Sequence, residues 1–188
     1  IHCLTAVNQI KRTRLNASLT LLGTEILMGL DDGNIRNDIL TAAIGPDGQV
    51  AVAWQNDTLI NSQSHPSDSI TIRYWGEKGI QSFRQMTIHL EYPWLLPLFR
   101  YQDMAIDEQG RIALAIVAEP TVLYSDALPA WTNISVLSPE ESRILRRWNL
   151  DSSWAQIDHF ASGKLFCSWN HQRKVRAFQW AESNDSTA

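Results

Sequence analysis

Long apolar runs, blocks of like charge, cysteine pairs and helical periodicity are all scarce in this sequence. No stretch approaches the roughly 18 consecutive apolar residues of a membrane-spanning helix. The most apolar segment, Tyr92 to Phe99, is short and broken by Pro93 and Pro97, so no transmembrane segment is expected within these residues. Lys and Arg number 16 against 20 Asp and Glu, a formal net charge of −4, and no basic block exceeds a few residues. The electrostatic footprint of a nucleic-acid binder is therefore missing. Gly and Pro number only 9 and 7, too few for a collagen or a Pro/Gly-rich linker, and the long i, i+3, i+4, i+7 stripes of a coiled coil are lacking. The two cysteines, Cys3 and Cys167, stand at opposite ends of the chain. Two reduced thiols and one bridge joining the first segment to the last both fit.

Signatures of chemistry are equally thin. His2, His65, His89, His159 and His171 lie in no HExxH pattern and beside no cysteine pair, so neither a metal site nor a cofactor is expected. Walker, GxGxxG, GxSxG and SxxK motifs are absent. Asp158-His159 has the groups of a general-base pair, but strand neighbours point to opposite faces, which leaves a turn-flanking polar pair as the plainer reading. Asp31-Asp32-Gly33-Asn34 opens like a calcium loop yet lacks its later oxygen ligands, and Asp-Gly is the common hairpin signal.

What is present reads as one all-β domain over residues 1–188. At 44% hydrophobic and 19% charged the chain can build a core, burying about 70% of its unfolded surface. Short alternating runs rich in Val, Ile, Trp and Tyr recur between Gly, Asp and Ser clusters. Three segments, 40–54, 103–115 and 157–169, share one form: a strand, a tight turn with Gly48, Gly110 or Gly163 in the same place, and a second strand. After each glycine, Val50 and Val52, Ile112 and Leu114, and Leu165 and Cys167 are expected on one face. A second element, aliphatic then Arg, recurs at Ile35-Arg36, Ile72-Arg73-Tyr74-Trp75, Leu145-Arg146-Arg147-Trp148 and Val175-Arg176. The spacing is irregular against the roughly 40 to 50 residues of a propeller blade, so residues 56–68 and 119–141 are expected to be surface-loop insertions.

Leu27 to Arg36 resembles the hairpin between the second and third strands of a WD-repeat blade, and Leu40 to Val52, with its Pro46-Asp47-Gly48 turn, resembles the first. Thr71 to Trp75 resembles the strand ending in that family's Trp-Asp pair, with Gly76 in place of the Asp. The Gly-His opening of the repeat is absent, and Asp103 to Ala115 resembles NHL-type and periplasmic sensor blades as well. The resemblance implies a β-propeller, or part of one with about four blade-like units. A β-sandwich is the alternative. The chain opens at Ile1 with no leader visible, so Ile1 is expected to be a processing site or a fragment boundary, with the propeller completed by more of the same polypeptide or by another subunit.

Two functions follow as expectations. The first is a non-catalytic protein-interaction scaffold, with a protein partner or additional blades contacted by Trp94 and Leu95 of the Pro93–Phe99 segment, by Trp131, and by Arg73 and Arg146. The structural alternative for the arginines is to cap turn carbonyls between blades. The second is a secreted or periplasmic propeller that binds or hydrolyses a small ligand such as a glycan. Eight tryptophans and the N-x-S/T sequons at Asn16, Asn56, Asn133 and Asn184 favour it and keep a secreted compartment open beside an intracellular one.

Overall fold

The computed structural model describes residues 2–6, 9–29, 40–60, 63–76, 83–90, 97–120, 131–151, 155–171 and 174–181. Among them the protein is all-β, with four antiparallel sheets and no helix. Sheet 1 holds β1 (His2–Ala6), β2 (Gln9–Leu15) and β3 (Leu21–Gly29). Sheet 2 holds β4 (Leu40–Ile44), β5 (Val50–Ile60), β6 (Gln63–Trp75) and β7 (Phe83–His89). Sheet 3 holds β8 (Pro97–Ile106), β9 (Ile112–Pro120), β10 (Trp131–Ser138) and β11 (Arg143–Asp151). Sheet 4 holds β12 (Ala155–Ala161), β13 (Lys164–His171) and β14 (Lys174–Ala181). Every sheet is an up-and-down meander of consecutive strands. Their first strands lie side by side, β1 by β4, β4 by β8 and β8 by β12, so the four blade-like units stack in chain order.

Alternation along the second strand of each unit explains the stacking. In β5, Val50, Val52 and Trp54 meet Ile10 and Leu27 of sheet 1, while Ala51 and Ala53 face sheet 3. The room left by those alanines is filled by Ile112, Leu114 and Ile116 of β9, whose own Ala113 and Ala115 face sheet 4 and receive Phe160, Leu165 and Cys167. Large residues thus point back to the preceding sheet and small ones forward. Each fully buried Leu or Ile contributes about 1.5–3 kcal/mol, and interdigitation of large with small fixes the spacing of the layers. Three apolar cores result, one for each pair of neighbouring sheets.

The glycine turns fit the same scheme. Gly48, Gly110 and Gly163 have φ of 81°, 74° and 70° and close the first hairpins of sheets 2, 3 and 4. In sheets 2 and 3 the turn closes through Gly48 N–H to the Gly45 carbonyl and Gly110 N–H to the Asp107 carbonyl, both at 3.0 Å. Each turn also receives a side chain from the preceding sheet. Arg12, buried in sheet 1, donates from Nη1 to the Gly48 carbonyl at 2.6 Å while Nη2 pairs with Glu25 at 2.6 Å. Tyr74 of sheet 2 lies with its hydroxyl where a Cβ on Gly110 would go. Arg111 of sheet 3, held by Asp107 at 2.7 Å, brings Nη2 to 2.9 Å from the place a Gly163 Cβ would take.

Two expectations are corrected. Residues 56–68 are not a loop insertion: both strands continue through most of it, with Asp57 opposite Pro66, Thr58 opposite His65 and Leu59 opposite Ser64, beyond a bulge after Gln55. Within 119–141, Trp131–Ser138 is β10, buried between β9 and β11, because its apolar residues alternate against both neighbours. The expected burial of Ile72 holds, Leu145 is half-buried, and the Val175 side chain lies outside the described residues. Cys167 is a free, buried thiol rather than half of a bridge to Cys3. Of the sequons, Asn133 is buried and donates to Asn149 at 2.7 Å, and Asn56 donates to Ser69 at 2.9 Å and accepts from Thr71. Asn16 sits in the turn between β2 and β3, and Asn184 is outside the described residues.

Two predictions follow from this packing. Gly110→Ala meets Tyr74 and an unfavourable φ, so denaturant unfolding is expected to show a loss of about 1–3 kcal/mol. Gly76→Ala, with nothing within 4 Å of its added methyl, is the control expected to be near neutral. Equal stability of the two variants would contradict the docking of Tyr74 on the turn. Burial, assisted by the Asp158 and Asp103 carboxylates, pushes the Cys167 thiol from 9.0 up to about 12. The folded state keeps this thiol neutral, so stability is full below the ordinary thiol value and falls as pH rises through the interval up to about 12. A thiol reagent at mildly alkaline pH is expected to label Cys167 only after unfolding, and rapid labelling of the native protein would refute its burial.

Candidate functional site

The structure separates the residues singled out in the sequence. Trp94 and Leu95 lie outside the described residues. Trp131 is not a loop aromatic: it opens β10 and packs against the core between sheets 2 and 3, which withdraws much of its surface from a partner. Arg146 is exposed on β11, the outer strand of sheet 3, opposite Val136. Arg73 is half-buried on β6, on the face of sheet 2 that looks towards sheet 1. The two arginines therefore stand on different sheets. Arg36 is outside the described residues and nothing is described of the Arg176 side chain. The role of capping a turn carbonyl belongs to Arg12 instead, a residue with no sequence repeat to mark it.

Arg73 has the richest surroundings. Its guanidinium carbon lies 5.3 Å from the Trp54 ring centre and 4.8 Å from that of Phe83. Nε donates to Gln85 Oε1 at 2.8 Å, and the two Nη groups have no acceptor among the described residues. Strand pairing sets this out: Phe83, Gln85 and Thr87 of β7 stand opposite Trp75, Arg73 and Thr71 of β6, alternate residues sharing one face. The result is a strip about 13 Å long. Thr71 and Thr87 hydroxyls meet at 3.2 Å, and Thr71 also donates to Asn56 at 2.9 Å.

Among the described residues sheet 1 has three strands, which pack on Val52, Trp54 and Trp75, and β7 is the fourth strand of sheet 2. The strip is open there: Phe83 is 48% exposed, and Gln85 and Thr87 are exposed beside it. Trp75, fully buried, packs on Phe83 with ring centres 6.0 Å apart, and its Nε1 lacks an acceptor among the described residues. Leaving such a donor unpaired costs about 1–3 kcal/mol. Each Arg–ring contact returns about 0.5–1 kcal/mol and fixes the guanidinium plane.

A second polar group lies where the first strands of sheets 3 and 4 meet. Asp103 Oδ2 accepts from Ile157 N–H at 2.8 Å and Glu108 from Ser162 N–H at 2.7 Å. The Ser162 bond holds the Glu108 carboxyl below its usual range, with smaller help from His159 and Arg111. Asp158 and His159 do not alternate: a bulge between Ile157 and His159 leaves both exposed. Strand periodicity hid this, because a single extra residue resets which side chains share a face. The carboxylates of Asp103 and Glu108 are occupied in joining one sheet to the next, and no group that could hold a metal ion occurs among the described residues. No helix among them is long and apolar enough to cross a membrane.

Neither a protein-family model nor a curated protein matches the sequence. Among solved structures, a Hadza microbial sialidase superposes over 92% of this chain with a TM-score of 0.50 and 13% identity. A polysaccharide lyase superposes over 98% with a TM-score of 0.47 and 10% identity. The chain spans 38% of the sialidase and 47% of the lyase. At 13% identity the sialidase likeness is one of fold: the all-β arrangement described above recurs in a protein more than twice as long.

Proposed function

We propose that these residues are blades of a β-propeller that recognises a glycan. The observation that carries the reading is the open strip on β7, where half-exposed Phe83 stands beside the exposed amide and hydroxyl of Gln85 and Thr87. A sugar ring has an apolar face that stacks on an aromatic ring and a rim of hydroxyls that need directed hydrogen-bond partners. The strip supplies both kinds of group on one rigid strand pair. Support also comes from the sialidase, whose name declares a glycan substrate and whose fold is shared over most of this chain. Titrating the isotopically labelled chain with a panel of neutral and acidic oligosaccharides is expected to move the amide signals of Phe83, Gln85 and Thr87. Absence of any response across the panel would overturn the reading.

A protein-interaction role is favoured by a separate observation. Leu19, Leu21, Leu22 and Ile26 are 67%, 61%, 64% and 51% exposed on or beside β3, the outermost strand of sheet 1 among the described residues. Large apolar side chains clustered on a strand edge are a surface for pairing with another sheet, a further blade among them. On this reading the chain self-associates in dilute solution, and Leu22→Lys with Ile26→Lys makes it monomeric by sedimentation. A wild-type chain that sediments as a monomer at every concentration would remove the support.

A further inference from the structure

We infer that the β7 strip selects an acidic sugar unit, with Arg73 taking its carboxylate while Phe83 stacks on the ring. The inference rests on the glycan reading and adds the charge class of the ligand. Three features of Arg73 carry it. Its guanidinium is clamped between Trp54 at 5.3 Å and Phe83 at 4.8 Å, so the plane of the fork is set before a ligand arrives. Its Nε is spent on Gln85 at 2.8 Å, which pins the remaining freedom and leaves Nη1 and Nη2 without an acceptor among the described residues. A planar pair of N–H donors matches the two oxygens of a carboxylate.

No carboxylate of the described residues neutralises this arginine. Arg12 and Arg14 pair with Glu25, Arg111 with Asp107 and Arg143 with Glu141, whereas the groups around Arg73 are two rings and an amide. A neutral sugar would satisfy Phe83, Gln85 and Thr87 but leave the two Nη groups to water. A carboxylate-bearing ring uses all four residues at once, because the guanidinium lies against the same Phe83 ring on which the sugar stacks.

The test compares an oligogalacturonide with its carboxyl-reduced, neutral counterpart, binding to the full chain at low ionic strength. The acidic form is expected to bind about ten-fold or more tightly than the neutral one, and the difference is expected to shrink as salt is added. Arg73→Gln is expected to abolish the preference by weakening the acidic ligand about 10- to 100-fold with the neutral one unchanged. Arg73→Lys, which keeps the charge but not the fork, should lose about ten-fold, and Phe83→Ala, which removes the stacking ring and one side of the guanidinium clamp together, should weaken both ligands and the acidic one more. A purely structural Arg73 would leave the acidic-to-neutral ratio where it was. An unchanged ratio in both Arg73 variants, or equal binding of the two sugars at the strip, overturns the inference and leaves the glycan reading standing. Failure of both sugars to bind overturns it together with that reading's application to this strip. An Asp/Glu-rich peptide that binds through Arg73 where the uronide does not would assign the fork to protein carboxylates and overturn the sugar assignment.

Discussion

A sheet in this chain stacks on the next only where the next one's first turn has room for an incoming side chain. Arg12 reaches the Gly48 carbonyl, the Tyr74 hydroxyl fills the place of a Gly110 Cβ, and Arg111 lies against Gly163. The side chains differ, but the demand on the turn is the same: positive φ for a tight reversal, no Cβ at Gly110 and Gly163, and a carbonyl facing the neighbour at Gly48. Because the turns fix one end of each sheet, the alternation of large and small residues behind them falls into step. Val50, Val52 and Trp54 then meet sheet 1, and Ile112, Leu114 and Ile116 meet the alanines of β5.

Much of the architecture was readable as sequence. The three glycine turns, the shared face of Val50 and Val52, Ile112 and Leu114, and Leu165 and Cys167, and the all-β class with about four units are all found in the structure. These features rest on local rules: period-two alternation and the backbone freedom of glycine. Structure departs from expectation where a long-range pairing overrides composition. Residues 56–68 carry Ser, Asp, Asn and Pro, which read as loop, yet cross-strand partners extend the hairpin through them. Trp131 follows a Pro-containing stretch but is pulled into β10 by its neighbours.

The site was legible only in part. Arg73 is visible through its repeated context, but the repeat groups it with Arg146 on another sheet, and nothing in a single sequence says which strand face stays exposed. Phe83, Gln85 and Thr87 alternate in a way that marks one face of a strand, without marking that face as uncovered. Arg12, Tyr74 and Arg111, which join the sheets, share no common residue type or spacing, because two guanidinium groups and a phenol serve the same turn by different contacts. The bulge at Asp158 is hidden for the converse reason: alternation is the local rule, and the strand takes one extra residue there.

The stacking of the sheets through their turns is tested most directly by nuclear Overhauser contacts across the sheet interfaces in solution. Close proton contacts are expected from the Tyr74 ring to Gly110 Hα, from the Arg111 guanidinium to Gly163 Hα, and from the Arg73 side chain to both the Trp54 and Phe83 rings. Gly110 and Gly163 protons that contact only their own hairpins, with the Tyr74 ring averaged in solvent, would contradict the stacking of the sheets through their glycine turns.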